Sequence, residues 1–243
     1  MTGLLFALGF LTSFPVRTPT PQPGDLGRAG GWFPIVGIIL GAILAGAHYA
    51  LNQVFSPLLS AALIVAAWAA LTGGLHLDGL ADCGDGLLAA VSRERRLEIM
   101  RDPRLGTFGG AALILHLLLK TFAVASFTAP SIMAFVLTTA TARWLILIVA
   151  AQPSARPGGL GEAFKRGVNR SVYASAAVGP IILIAFGGWR ALIAAVAAHL
   201  GAMLIGHAAR SRLGGVTGDV LGLTVEVSEL IVLLVFAAKQ VAV

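Results

Sequence analysis

The sequence predicts an all-α fold: a polytopic membrane bundle of about seven to eight transmembrane helices, in one domain covering residues 1–243. Three observations carry this. Of the 243 residues, 57% are hydrophobic and only 12% charged, against about 45–50% and about 25% in soluble domains. Apolar runs close to the roughly 20 residues that cross a bilayer as helix recur along the chain. The connections between those runs alternate in charge.

The clearest runs are Phe33 to Leu51, Leu58 to Leu77, Thr107 to Phe127, Ile132 to Ala151 and Val220 to Ala238. Val172 to Phe186 and Ala191 to His207 are shorter and read as a hairpin turning at "GGWR". Gly3 to Val16 is short for a span and reads as a partial span or an interfacial helix. With it, the chain has eight helices. Arg17 and Arg28 then fall in the first loop, and Arg93, Arg95, Arg96, Arg101 and Arg104 in the third. Arg156, Lys165, Arg166 and Arg170 fall in the fifth, and Arg210 and Arg212 in the seventh. The loops between hold only Arg190. Basic loops stay in the cytoplasm, so the last helix is expected to end outside.

The net charge of +6 belongs to these loops, and nucleic acid is not an expected partner. Cys83 is the only cysteine, so no intrachain disulfide is possible. The N-terminus lacks a basic segment and a small-residue cleavage site, so a removable signal peptide is not expected.

"LTGGLHLDGLADCGDGL" (71–87) holds Asp78, Asp82 and Asp85 at spacings of four and three. That places the three carboxylates on one helix face, at the basic end of the third span. Like charges so close repel, more strongly near hydrocarbon. Protonation, arginine pairing or a divalent cation relieves the repulsion, and Mg²⁺ favours carboxylates combined with substrate phosphates. A solvated helix end is the plain alternative. Against it stand Gly73, Gly74, Gly79, Gly84 and Gly86, each weakening a helix by roughly 1 kcal/mol relative to alanine. Their use is close approach, by a neighbouring helix or by a ligand. Cys83 reads as a small packing residue, and His76 as a satisfied interfacial histidine, with a base or a donor to a metal ligand as its alternative role.

"TGDVLGLTVEVSEL" (217–230) repeats the theme, with Asp219, Glu226 and Glu229 on one face. Glu226 and Glu229 lie inside the last span and need partners. Lys120 and Arg143 are the cations at comparable depth, and at least one is expected to face them. A structural ion pair and a substrate role are equally open for these acids.

"SRERRLEIMRDPRLGTFGG" (92–110) follows the aspartates. Part of its charge is ordinary helical pairing among Glu94, Glu98 and the arginines. Arg101 and Arg104 differ: they bracket "DP" and lead into a glycine-rich helix start, where anions are attracted. Acids for a metal, arginines for phosphate and glycines for approach point to phosphoryl transfer at the cytoplasmic face. There is no P-loop motif and no zinc motif.

Several blocks, in order, resemble the cobalamin synthase (adenosylcobinamide-GDP ribazoletransferase) family. They are "FLTSFPV", "WFPIVGIILG", "GGLHLDGLADCGDGL", "RLEIMRDPRLGTFGG", "ARPGGLG" and "RLGGVTGDVLGLTVEVSEL". Together they span nearly the whole chain. The resemblance implies a bacterial inner-membrane enzyme whose active site faces the cytoplasm. Its substrates would be adenosylcobinamide-GDP and α-ribazole or the 5′-phosphate, its cofactor Mg²⁺ and its leaving group GMP. On that reading Asp78, Asp82 and Asp85 hold the metal, and Asp82, Asp219 and Arg104 are catalytic, Asp219 orienting or deprotonating the attacking hydroxyl. Arg93, Arg101, Arg104, Arg143, Gly218 and Glu226 are the expected substrate-binding residues, and a homo-oligomer is compatible with it. The corrinoid is too large for a small bundle, so an open cavity between the third and last helices is expected.

Two rivals come from other classes. CDP-alcohol phosphotransferases also use helical aspartates and metal, but their signature places an arginine where Asp82 stands. A divalent-cation transporter would need acids at the midplane of broken helices, whereas the triad lies at one membrane face.

Overall fold

The computed structural model describes residues 2–20, 22–127 and 132–238. The helices in chain order are α1 (Thr2–Leu11), α2 (Asp25–Ala29), α3 (Phe33–Leu51), α4 (Pro57–Leu71), α5 (Leu75–Leu88) and α6 (Arg93–Ile99). They continue with α7 (Thr107–Ala125), α8 (Ile132–Ala150), α9 (Leu160–Lys165), α10 (Arg170–Leu213) and α11 (Gly218–Ala237). The expected all-α class is what the described residues show. Five segments are long and apolar enough to cross a membrane: Asp25–Leu51, which carries α3, and helices α7, α8, α10 and α11. α4, with 15 residues, is short for a span by itself and reaches that length and apolarity only together with α5. α1 has 10 residues, half of a full span.

α10 is 44 residues long, about 66 Å if straight and twice a bilayer core. It is not straight. Gly188 has φ 69°, a conformation that only glycine adopts without strain, and the chain reverses there. Ser175 near one end lies against Gly31, and Arg93 lies against Gly214 beyond the other. Both ends therefore sit among the basic loops. Arg190, next to the break, donates to the Ala238 carbonyl at the far end of α11. The hairpin expected at "GGWR" is present.

α8 is the central helix, buried along most of its length and packed on α3, α10 and α11. Small residues let the backbones close. A Cβ on Gly37 of α3 would stand 2.5 Å from the Thr139 carbonyl oxygen, and Thr139 Oγ1 donates to the Gly37 carbonyl (2.6 Å). Such close approach with interhelical hydrogen bonding drives packing where lipid is as apolar as leucine. The outward faces of α7 and α10 expose Ile114, Leu118, Phe122, Ile182, Met203 and Leu204, the surface expected to meet lipid.

The expected third span ends early. α4 stops at Leu71, and α5 leaves it at an angle of 93°. Gly73 (φ 61°) and Gly74 (φ 70°) make the corner. α5 therefore does not continue the α4 crossing; it lies across the basic end of the bundle, over the N-termini of α7 and α11. That turn brings the aspartate helix out of the span and into the site.

Candidate functional site

α5 is wedged between α11 and α7 by its glycines. On one side a Cβ at Gly79 would lie 2.6 Å from the Asp219 carbonyl oxygen, and Gly222 faces Gly79 across the crossing. On the other side Gly84 meets Gly109 of α7. The close approach expected of these glycines is to neighbouring helices. Gly79→Val should therefore push α5 off α11 and abolish activity together with thermal stability, measured on the purified variant.

The C-terminal end of α5 is held by cations. Arg96 donates to the carbonyls of Gly86 (2.9 Å) and Leu87 (2.7 Å), and Arg212 donates to that of Leu87. These are the orphan acceptors of a helix end. Among the described residues, the Arg95 side chain pairs with exposed Glu98 alone.

Of the three aspartates, two face one way and one another. Asp78 and Asp82 line an open cavity of about 570 Å³, together with Arg101, Asp102, Arg104 and the flank of α7 at Leu113 and Leu117. Neither carboxylate accepts a hydrogen bond or makes a salt bridge among the described residues. Burial pushes the Asp82 carboxyl up to about 7, reinforced by the charges of Asp219, Asp78 and Asp85. Asp85 is turned to α7 instead, accepting from the amides of Gly106 and Gly109, each at 2.8 Å. It satisfies orphan donors of that helix start from outside the helix. Asp85, expected among the metal ligands, thus has each of its carboxylate oxygens engaged by a backbone N–H. Asp85→Ala should cost about 0.5–2 kcal/mol, the loss of a capping group, read as a lower unfolding temperature.

The two arginines are not alike. Arg104 holds Asp102 through Nε (2.9 Å) and Nη2 (2.6 Å), which lowers the Asp102 carboxyl to about 2. The Arg101 side chain lines the same cavity with no hydrogen-bonded or ionic partner among the described residues. It is the cation most ready for an incoming anion. Arg93 lies apart, beside Gly214.

Glu226 and Arg143, expected to bind substrate, do not line this cavity. They belong to a buried network deeper in the bundle. Glu226 is held by His116 Nε2 (2.7 Å) and Lys120 Nζ (3.0 Å). Glu229 is held by Lys120 and Arg143, and Lys120 stands 4.1 Å over the Trp68 ring. Both expected cations face the acids, because buried charges persist only when paired. His116 was not anticipated, although it lies four residues before Lys120 on the same helix face.

The larger open cavity lies between α5 and α7, while the expected opening between α5 and α11 holds a cavity of about 130 Å³, lined by Leu75 and His76 of α5 and Gly218, Asp219, Leu221 and Gly222 of α11 among others. Asp219 and Gly218 line a separate cavity of about 240 Å³ with Arg156. Arg156 Nη1 is 3.9 Å from Asp219 Oδ2. The sequence had offered it only as a loop charge. The signal lay in "ARPGGLG", an arginine beside glycines.

Mg²⁺ fits the donor set of the larger cavity. A hard cation takes one or two carboxylates and completes its shell with substrate phosphates and water. Asp78 and Asp82, one turn apart and without partners, supply that much. Among the described residues no three acidic, histidine or cysteine side chains form a complete protein cage.

The family model described as cobalamin-5-phosphate synthase matches residues 3–237. The chain belongs to that family. It is 42% identical to the adenosylcobinamide-GDP ribazoletransferase of Stutzerimonas stutzeri, over 98% of this chain and 99% of the relative. The enzyme of the same name from Pseudomonas paraeruginosa is 41% identical over 98% of each chain. That of Bradyrhizobium diazoefficiens is 38% identical, over 99% of this chain and 95% of the relative. No solved structure matches. The resemblance of the aspartate and arginine blocks thus extends along the whole chain, and this family member places those blocks around one cavity.

Proposed function

We propose that this protein joins adenosylcobinamide-GDP to α-ribazole, or to its 5′-phosphate, at the cytoplasmic face of the inner membrane, releasing GMP. The observation that carries this is the cavity where unpaired Asp78 and Asp82 face Arg101 and Arg104. Carboxylates on one wall and guanidiniums on the other suit a diphosphate bound with a divalent cation. The names of the relatives supply the two substrates, and the family description supplies a product that keeps a 5-phosphate.

The cavity is open, so the diphosphate enters while corrin and guanosine stay outside. Arg101 binds the nonbridging oxygens, and Arg104 joins it by exchanging Asp102 for phosphate. An acceptor hydroxyl forms a P–O bond to the phosphorus attached to cobinamide, and the P–O bond to GMP breaks. Asp219, beside α5, orients that hydroxyl and takes its proton. Asp78 and Asp82 would hold Mg²⁺, which supplies charge stabilisation on the phosphates when bound. Asp85 supports the site by fixing the α5–α7 contact.

The test is reconstitution. Purified protein given adenosylcobinamide-GDP, α-ribazole and Mg²⁺ should yield one GMP per cobamide formed, separated by chromatography. Failure to release GMP overturns the reading. Chelation should stop the reaction and added Mg²⁺ restore it. The raised Asp82 carboxyl adds a pH signature. The ionised form prevails above about 7 and is lost below it. At limiting Mg²⁺ turnover should therefore fall as pH drops through 7, and saturating Mg²⁺ should move that fall to lower pH.

A further inference from the structure

We infer that the 240 Å³ cavity around Arg156 is a second subsite, one that takes the phosphate of a phosphorylated acceptor. The inference rests on the proposed reaction, and assigns the two substrates to two cavities.

The cavity is lined by Arg156, Gly159, Gly161, Thr217, Gly218 and Asp219, among others. Its two walls are fixed to each other. Ala155 N donates to the Val216 carbonyl (2.9 Å), and Val216 N donates to that of Pro153 (2.8 Å). A Cβ at Gly215 would sit 2.3 Å from the Pro153 carbonyl oxygen, so no other residue lets the strands of chain meet so closely. A site on walls tied in this way is pre-organised.

Arg156 is the cation in it. Its side chain is 19% exposed. Nη2 donates to the Leu97 carbonyl (2.9 Å), which orients the guanidinium. Nε is buried without a hydrogen-bond partner among the described residues. Asp219 Oδ2, at 3.9 Å from Nη1, is beyond hydrogen-bonding distance and is occupied by Thr217 Oγ1 at 3.1 Å. A half-buried guanidinium, oriented through Leu97 and with Nη1 making no hydrogen bond among the described residues, suits phosphate oxygens. The cavity is smaller than the roughly 300–1,000 Å³ of sites for drug-sized ligands. It suits a phosphate with its sugar rather than a whole nucleotide. Asp219 is shared by this cavity and the acidic group on α5. A phosphate held by Arg156 therefore brings the sugar hydroxyls of the same molecule to the carboxylate proposed to activate one of them.

The test compares α-ribazole 5′-phosphate with α-ribazole, by equilibrium dialysis against the full-length protein without donor, and then by kcat/KM. Wild type should bind the phosphorylated form at least tenfold more tightly. Arg156→Ala should bring that ratio to near one, and Arg156→Lys should restore part of it. Inorganic phosphate should compete with α-ribazole 5′-phosphate and not with α-ribazole, a check on wild type that stands whether or not the variants fold. A ratio unchanged in Arg156→Ala, or a change confined to the cobinamide-GDP KM, overturns the subsite. A purely structural Arg156 would weaken both acceptors alike and leave the ratio intact, which also overturns it. The two proposals fail separately: protein that shows phosphate-dependent acceptor binding but releases no GMP refutes the reaction and keeps the subsite.

Discussion

Asp82→Asn should reduce GMP release by about a hundredfold or more while the protein accumulates and unfolds as wild type does. Asp82 is central on α5, with Asp78 on one side and Asp219 behind it, and it makes no contact that folding needs. The amide keeps the shape and removes the charge. Groups that hold transition-state charge contribute roughly 3–4 kcal/mol each when removed singly, hence the size of the loss. Stability should not fall, and could rise slightly, because one member of a mutually repelling cluster becomes neutral. Full activity in the purified variant would end the assignment of metal and diphosphate to this cavity. The Asp85 capping variant is the contrast: its effect should be on stability first.

The second large effect is expected in the buried network. Glu229→Gln leaves Arg143, fully buried on α8, without its carboxylate, and takes from Lys120 one of two. Breaking a buried ion pair by removing one partner costs about 3–5 kcal/mol, because the remaining charge is uncompensated. Thermal unfolding in detergent should register this as a marked drop. Replacing both partners, Arg143→Met with Glu229→Leu, should recover much of it, since no lone charge remains and Lys120 keeps Glu226. If the single variant unfolds like wild type, the network does not hold α7, α8 and α11 together. The pairing also bears on ion transport: the two acids deep in the bundle, Glu226 and Glu229, are already engaged by His116, Lys120 and Arg143 and are not free to pass a cation along.

Much of this was legible in the residues. Apolar length, charge alternation and the "GGWR" turn set the helices and the hairpin. The i, i+4 spacing put Asp78 and Asp82 on one face, and the depth of Glu226 and Glu229 demanded Lys120 and Arg143. Spacing alone treated Asp85 as a third ligand and Arg104 as the equal of Arg101. It could not do otherwise, for all three aspartates share a face and both arginines flank "DP". The distinction arises from what stands opposite: the α7 amides claim Asp85, and Asp102 claims Arg104.

The order along the chain by itself fixed which segments enter lipid and which charges cluster, because hydrophobic length and helical periodicity are properties of neighbours. Only the tertiary structure decided where the site opens. Two glycines turn α5 through 93°, and its small residues let it cross α11 closely at Gly79 and Gly222 while leaving the larger cavity against α7. The same packing set Arg156, more than sixty residues from Asp219, beside it. Such choices depend on the space between elements far apart in the chain, and no local pattern encodes that space.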